Sequence, residues 1–260
     1  MNSEIPFKYK KLKINKNSYL YAINIENYDS NFTSFMDEKL VSICLPNNNL
    51  YDLKTIKGKI LKFLNSKNTK SKSDVANTIV IGYICEFIIH LFFSHLGYKQ
   101  EFQFLNLEDG GAMKKGFDGV YTFKNKDWYI ESKSGGSQNT HLQKIRLGLN
   151  DLKDKFSGNV NNNPWFNALS HTRIVNSKKT LQNKIELLSY NFDNKKYTKT
   201  ADYNVIPCST IVYVDNWKEI NTIELKDSIT KLISEHNYSN INIVCINKSS
   251  LTHFKNYLKS

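Results

Sequence analysis

Three side chains stand out for the chemistry they could do together: Asp118, Glu131 and Lys133. Asp118 lies in Gly116-Phe117-Asp118-Gly119-Val120-Tyr121-Thr122-Phe123, and Glu131 and Lys133 close Trp128-Tyr129-Ile130-Glu131-Ser132-Lys133. Two carboxylates supply hard oxygen donors for a divalent cation, and a neighbouring lysine supplies positive charge to an anionic transition state. Such a set suits metal-assisted cleavage of a phosphodiester. With no His or Cys cluster beside it, the site favours Mg2+ or Mn2+ over zinc. The Ser132 carbonyl, between the two functional side chains, is a further candidate ligand.

The elements that must position these groups are two short strands joined by Lys124-Asn125-Lys126-Asp127. With Asn125-Lys126 at the centre of the turn, Lys124 opposes Asp127 and Asp118 opposes Lys133. Asn tolerates the positive φ that a tight hairpin turn needs. Residues directly opposed, and residues two apart on a strand, share a sheet face. Asp118, Glu131 and Lys133 then cluster on one face, with Phe117, Tyr121, Phe123, Trp128 and Ile130 on the other. A one-residue slip would scatter the cluster. The bland alternative is a surface hairpin with solvated charges, or a turn at Asp118-Gly119 itself.

A second acid is conspicuous. Glu86 interrupts the apolar run Ile79-Val80-Ile81-Gly82-Tyr83-Ile84-Cys85-Glu86-Phe87-Ile88-Ile89-His90. An ionised carboxylate in such a helix is costly unless something pairs with it. Either Glu86 reaches the hairpin acids and orients a metal-bound water, or it is a buried acid bonded to Lys or backbone N–H groups. His90, one turn on, reads as a satisfied core residue.

The chain has 260 residues, 36 Lys and Arg against 24 Asp and Glu, and a formal net charge of +12. Only Arg146 and Arg173 are arginines, so the positive charge is nearly all lysine. Lysine is a point charge that suits sequence-tolerant phosphate contact better than bidentate base reading. Lys, Asn and Ile are abundant throughout, so compositional bias explains part of the excess, yet the net charge still favours an anionic partner such as DNA. Cys44, Cys85, Cys208 and Cys245 lie far apart in apolar runs with no CxxC pair, which argues against a zinc knuckle or a redox motif. No secretory signal is visible, and the apolar stretch Ile79 to Phe93 reads as too short to span a bilayer, so a cytoplasmic protein is expected.

Along the chain, residues 1–72 read as an N-terminal accessory region, with strands at 18–25 and 40–45 and a basic amphipathic helix at 52–64. Residues 73–260 read as the main domain. It has a helix capped by Ser73 or Asp74 and ending at Gly97, a strand over 98–107, a loop over 108–115 and the hairpin. A helix over 141–156 follows. Residues 157–205 form an insertion of unread structure, apart from a helix near 181–190. Strand 209–214, helix 218–237 and strand 241–246 suggest a parallel βαβ unit, followed by a closing helix or turn over 247–258.

In order, Gly82-x-x-x-Glu86 on a helix, Asp118 opening a strand and Glu131-Ser132-Lys133 ending the next resemble the PD-(D/E)xK nuclease superfamily. Phe117 stands where the name-giving proline would be. The resemblance covers about residues 74 to 156, and the final βαβ unit extends it. It implies an α/β fold with a restriction-endonuclease-like αβββαβ core and a mixed sheet. It also implies Mg2+-dependent DNA hydrolysis with Asp118 and Glu131 as metal ligands, Lys133 as the catalytic lysine and Glu86 as the accessory helix acid. The phrase Lys115-Gly116-Phe117-Asp118-Gly119 with the upstream helix further resembles the nuclease subunits of Hachiman antiphage defence, which implies a partner helicase. The competing functions are a non-cleaving nucleic-acid-binding or assembly subunit and a sequence-specific restriction endonuclease.

Overall fold

The computed structural model describes residues 6–48, 50–67, 78–105 and 116–260. Among them the strands are β1 Tyr9–Asn15, β2 Ser18–Ile25, β3 Lys99–Gln100, β4 Gly119–Phe123, β5 Lys126–Gly136, β6 Asn204–Val212 and β7 Asn240–Lys248. The helices are α1 Ser30–Cys44, α2 Leu53–Lys67, α3 Thr78–His95, α4 His141–Ser157, α5 Pro164–Ile174, α6 Lys179–Asp193, α7 Thr222–Ile233 and α8 Thr252–Lys259. The strands make one mixed seven-stranded sheet in the order β1-β2-β7-β6-β5-β4-β3. The run β2-β7-β6-β5 is parallel, and antiparallel pairs close both edges. The fold class is therefore α/β.

Helices cover both faces of this sheet, and the period-2 alternation of the strands sorts their side chains between two cores. Tyr121, Trp128, Ile130, Ile206, Cys208 and Val244 pack under α1, α2, α3 and α8. Val120, Tyr129, Val205, Ile241, Ile243 and Cys245 pack under α4, α5, α6 and α7. The unit β6-α7-β7 is parallel, as its spacing suggested. The edge strand β1 and its neighbour β2 belong to the same sheet, and α1 and α2 pack in the same core as α3. Residues 9–67 thus build the central fold directly.

Three expectations need correction. Residues 40–45 are the last turns of α1, not a strand. Met36, Leu40, Ile43 and Cys44 are buried along one helical stripe, and the Asp29 side chain caps the helix by accepting the Phe32 N–H at 2.8 Å. Of the strand expected over 98–107, the described residues form strand only at Lys99–Gln100. The Glu101 N–H makes one more bond to β4, at 2.9 Å from the Val120 carbonyl, while the Gln100 side-chain amide donates to the carbonyls of Ile43 and Phe102. Third, α3 is long and apolar enough to cross a membrane by length and composition, although the run looked too short. It is 67% buried inside the fold, where it serves as a core helix. The expected cap at Ser73 or Asp74 and the loop over 108–115 lie outside the described residues.

Candidate active site

The hairpin turn sits one residue earlier than its composition suggested. Lys124 (φ 49°) and Asn125 (φ 58°) are the central pair, and Phe123 pairs with Lys126. Both central positions of this turn type need positive φ. Every cross-strand partner therefore moves by two residues, and Gly119 opposes Ile130. Extended by one step, Asp118 falls opposite Glu131 instead of Lys133. A shift of two keeps each side chain on its face, so the expected cluster survives the changed register.

Asp118 sits just before β4. Its backbone N–H donates to the Ile130 carbonyl at 3.1 Å, and its Oδ2 accepts the Ser132 N–H at 2.7 Å. This pair of bonds fixes the carboxylate against β5. Ser132 thus meets Asp118 through its N–H, while its own strand position pairs with Cys208 in the β5–β6 ladder. Phe117 is a correction. Because the chain there precedes the strand, the alternation does not yet apply. Its ring packs on Tyr129, Phe156 and Trp165 on the α4 side, the side of Asp118 itself.

Glu131 is 3% exposed and held at both oxygens. Lys133 Nζ lies 2.9 Å from Oε1, and the Lys155 ammonium bonds Oε2. Lys133 also bridges to Asp151 Oδ2 at 2.5 Å. Asp151 and Lys155 are one turn apart on α4, so the helix supplies an acid and a base to the acid and base of β5. Gly148, three residues before Asp151, faces this strand: a Cβ there would make an ordinary contact, 3.5 Å from the Glu131 carbonyl oxygen. Sequence reasoning missed Asp151 and Lys155. Their only signal was i, i+4 spacing in a helix already rich in exposed charge.

Charge in the site is crowded. Asp118 keeps an opening to solvent although protein surrounds it on nearly every side. Burial raises its carboxyl well above the ordinary carboxylate range, and Glu131 and Glu86 push the same way. Lys155 and the Ser132 N–H act against them. Burial alone would lower the Lys133 ammonium, but Glu131, Asp151 and Asp118 hold it above the ordinary lysine value. Lys133 is a fixed cation and is not suited to act as a base.

Glu86 lies on α3 with its side chain 15% exposed and is 3.4 Å from His90 Nε2. His90 is buried, and its Nδ1 meets the Tyr121 hydroxyl at 2.8 Å. Gly119 lies beside this ring, and a Cβ there would crowd the Phe102 and Tyr121 rings at 3.2 Å. His90 is thus the satisfied core residue expected, and it couples Glu86 to the hairpin. The structure brings Asp118, Glu131 and Lys133 together and sets Glu86 within electrostatic reach of Asp118.

Among the described residues, no group of three or more His, Cys, Asp or Glu side chains is arranged to hold a metal ion. The donor set is a carboxylate pair. That fits Mg2+, which keeps several waters and is commonly bound through one or two carboxylates plus substrate phosphate. The crowding of negative charge that raises the Asp118 carboxyl is the imbalance a divalent cation relieves.

Helices α5 and α6 border this site. Trp165 on α5 packs 4.9 Å from the Phe117 ring, and a Cβ on Gly116 would meet the Asn167 side chain at 3.0 Å. Lys184 on α6 reaches Asp127 at 2.6 Å, beside the hairpin turn. A separate constellation, Ser209–His141–Asn247, has the look of a nucleophile, base and orienter, with His141 2.8 Å from Ser209 Oγ and 2.9 Å from Asn247 Oδ1. Ser209 is wholly buried, so no substrate reaches it. The triad staples the start of α4 to β6 and β7. The four cysteines are free and buried, and burial raises their thiols. Compared with known proteins, the chain matches no protein-family model and none of the curated proteins.

Proposed function

We propose that this protein is a metal-dependent nuclease of the PD-(D/E)xK kind that hydrolyses DNA phosphodiester bonds with low sequence specificity. The observation that carries this reading is the Asp118 carboxylate bonded to the Ser132 N–H, across from Glu131, with the Lys133 ammonium 2.9 Å from Glu131. The order α3-β3-β4-β5-α4-β6 supports it too. An antiparallel β3-β4-β5 unit is followed by a helix and a strand parallel to β5, an order compatible with the αβββαβ core that the resemblance implies.

Asp118 and Glu131 would hold the cation. Mg2+ or Mn2+, when bound, neutralises charge on the phosphate and makes a coordinated water more acidic. Lys133 keeps its proton and places a positive charge beside the reacting phosphate oxygens. Glu86, held by His90, faces the acidic pair from α3 and orients water. The excess of lysine over arginine suits contact with the DNA backbone whatever its sequence. Cytoplasmic residence, a helicase partner and a role in antiphage defence complete the proposal through the resemblance of the Gly116-Phe117-Asp118-Gly119 phrase.

One observation favours a non-cleaving, DNA-binding subunit instead: lysines engage both oxygens of Glu131. Cleavage assays on circular and linear DNA and on RNA, with Mg2+ or EDTA, separate the readings. The nuclease reading expects Mg2+-dependent DNA cleavage that EDTA stops and that Glu131→Ala or Lys133→Ala abolishes. Salt-sensitive binding without cleavage under any divalent ion, with and without helicase, supports the other.

A further inference from the structure

The Lys155 ammonium, like that of Lys133, is a cation that both acids of the site already feel. It bonds Glu131 Oε2 and lies 5.7 Å from the centre of the Phe117 ring, one residue before Asp118. Lys133 differs. It takes the other Glu131 oxygen and is anchored on its far side by Asp151. Among the described residues, Glu131 is the one acid within ion-pair distance of Lys155, and only 15% of that lysine side chain is exposed.

We propose that Lys155 is an internal counter-ion of the Asp118–Glu131 pair, the group a divalent cation must displace to enter, and that the Phe117 face and the substrate phosphate receive it once displaced. This rests on the metal-dependent reading above. A carboxylate pair without a cation repels itself in a poorly hydrated site. One lysine removes that repulsion but also occupies an oxygen that a metal needs. Phe117 offers the expelled ammonium a quadrupole to rest on, which aliphatic side chains lack. Lys155 is therefore a positioning residue. It keeps Glu131 aimed, and it sets how readily the site loads.

The test is Mn2+ binding to the DNA-free protein, read from the free-ion EPR signal. The proteins compared are wild type, Lys155→Met and Lys155→Arg, each checked by circular dichroism, with Lys155→Gln replacing the Met variant should that variant not fold. Removing the competing charge should tighten Mn2+ binding roughly tenfold or more in Lys155→Met. Lys155→Arg, which keeps the charge, should bind as wild type does. A merely structural lysine predicts the opposite direction, weaker binding in Lys155→Met. Equal or weaker Mn2+ affinity in a folded Lys155→Met protein overturns the displacement while leaving the nuclease reading intact. Absence of Mn2+ binding in every form overturns the metal-dependent reading and the displacement with it.

Discussion

The Lys133 ammonium lies 2.9 Å from Glu131 Oε1, and the two residues are separated by one position on β5. The period-2 geometry of a strand makes this contact inevitable once the strand forms. Asp151 reaches in from α4 to hold the same ammonium, which fixes its direction. Lys133→Met should lower single-turnover DNA cleavage by at least about a hundredfold, as removal of a transition-state charge does. Mn2+ binding should persist, because the acids remain. Cleavage at the wild-type rate would remove Lys133 from the chemistry.

Asp118 is held in a strained charge environment, and that has a stability consequence. Its folded-state pKa is raised above the unfolded value, so the folded form binds its proton more tightly than the unfolded chain does. Stability from this group is present at low pH and is lost as pH rises from the unfolded pKa through the folded one. Asp118→Asn escapes that loss and keeps an oxygen for the Ser132 N–H. Calorimetry at neutral pH without divalent ions should therefore show a Tm above wild type for this variant, with the gap closing near pH 4. Its cleavage should be abolished. A lower Tm at neutral pH would contradict the electrostatic picture of the site.

His141 makes a prediction in the acid range. Burial pulls its pKa down to about 4, and the Asn247 bond only partly opposes this. The unfolded chain takes up its proton near the ordinary value of about 6.5, so stability falls as pH drops from there to 4. The loss amounts to about 3 kcal/mol at most. Urea unfolding across this range should show the decline in wild type and a shallower one in His141→Gln. Identical slopes in the two proteins would mean that His141 is not the group being protonated.

The Ser132 N–H gives a final mutational check on register. A proline at Ser132 removes the donor that fixes Asp118 and interrupts β5. Ser132→Ala keeps the N–H. The alanine variant should cleave within a few-fold of wild type, and the proline variant should lose both cleavage and stability. Equal activity in the two would place Asp118 elsewhere.

How much of this was legible beforehand follows from what each element depends on. The face shared by Asp118, Glu131 and Lys133 was readable because alternation is local to two strands, and a turn misplaced by one residue shifts partners by two without changing faces. The βαβ unit was readable because β6 and β7 are largely apolar, continuously buried runs on either side of one helix. Phe117 was misplaced because alternation was carried one residue past the strand's start. The end of α1 was misread because Leu40 to Leu45 is apolar enough for a strand, and only the caps and stripe reaching back to Asp29 reveal the helix. Asp151 and Lys155 were invisible as site residues. Their role comes from α4 docking on β5 across Gly148, a tertiary relation that no local pattern encodes.

Anomalous diffraction from crystals soaked in Mn2+ puts the shared-cation idea at greatest risk. The expected map has a Mn2+ peak bridged by the carboxylates of Asp118 and Glu131, lost in Glu131→Gln crystals. A map with no peak between these two acids, or with Mn2+ bound only elsewhere on the protein, would refute it.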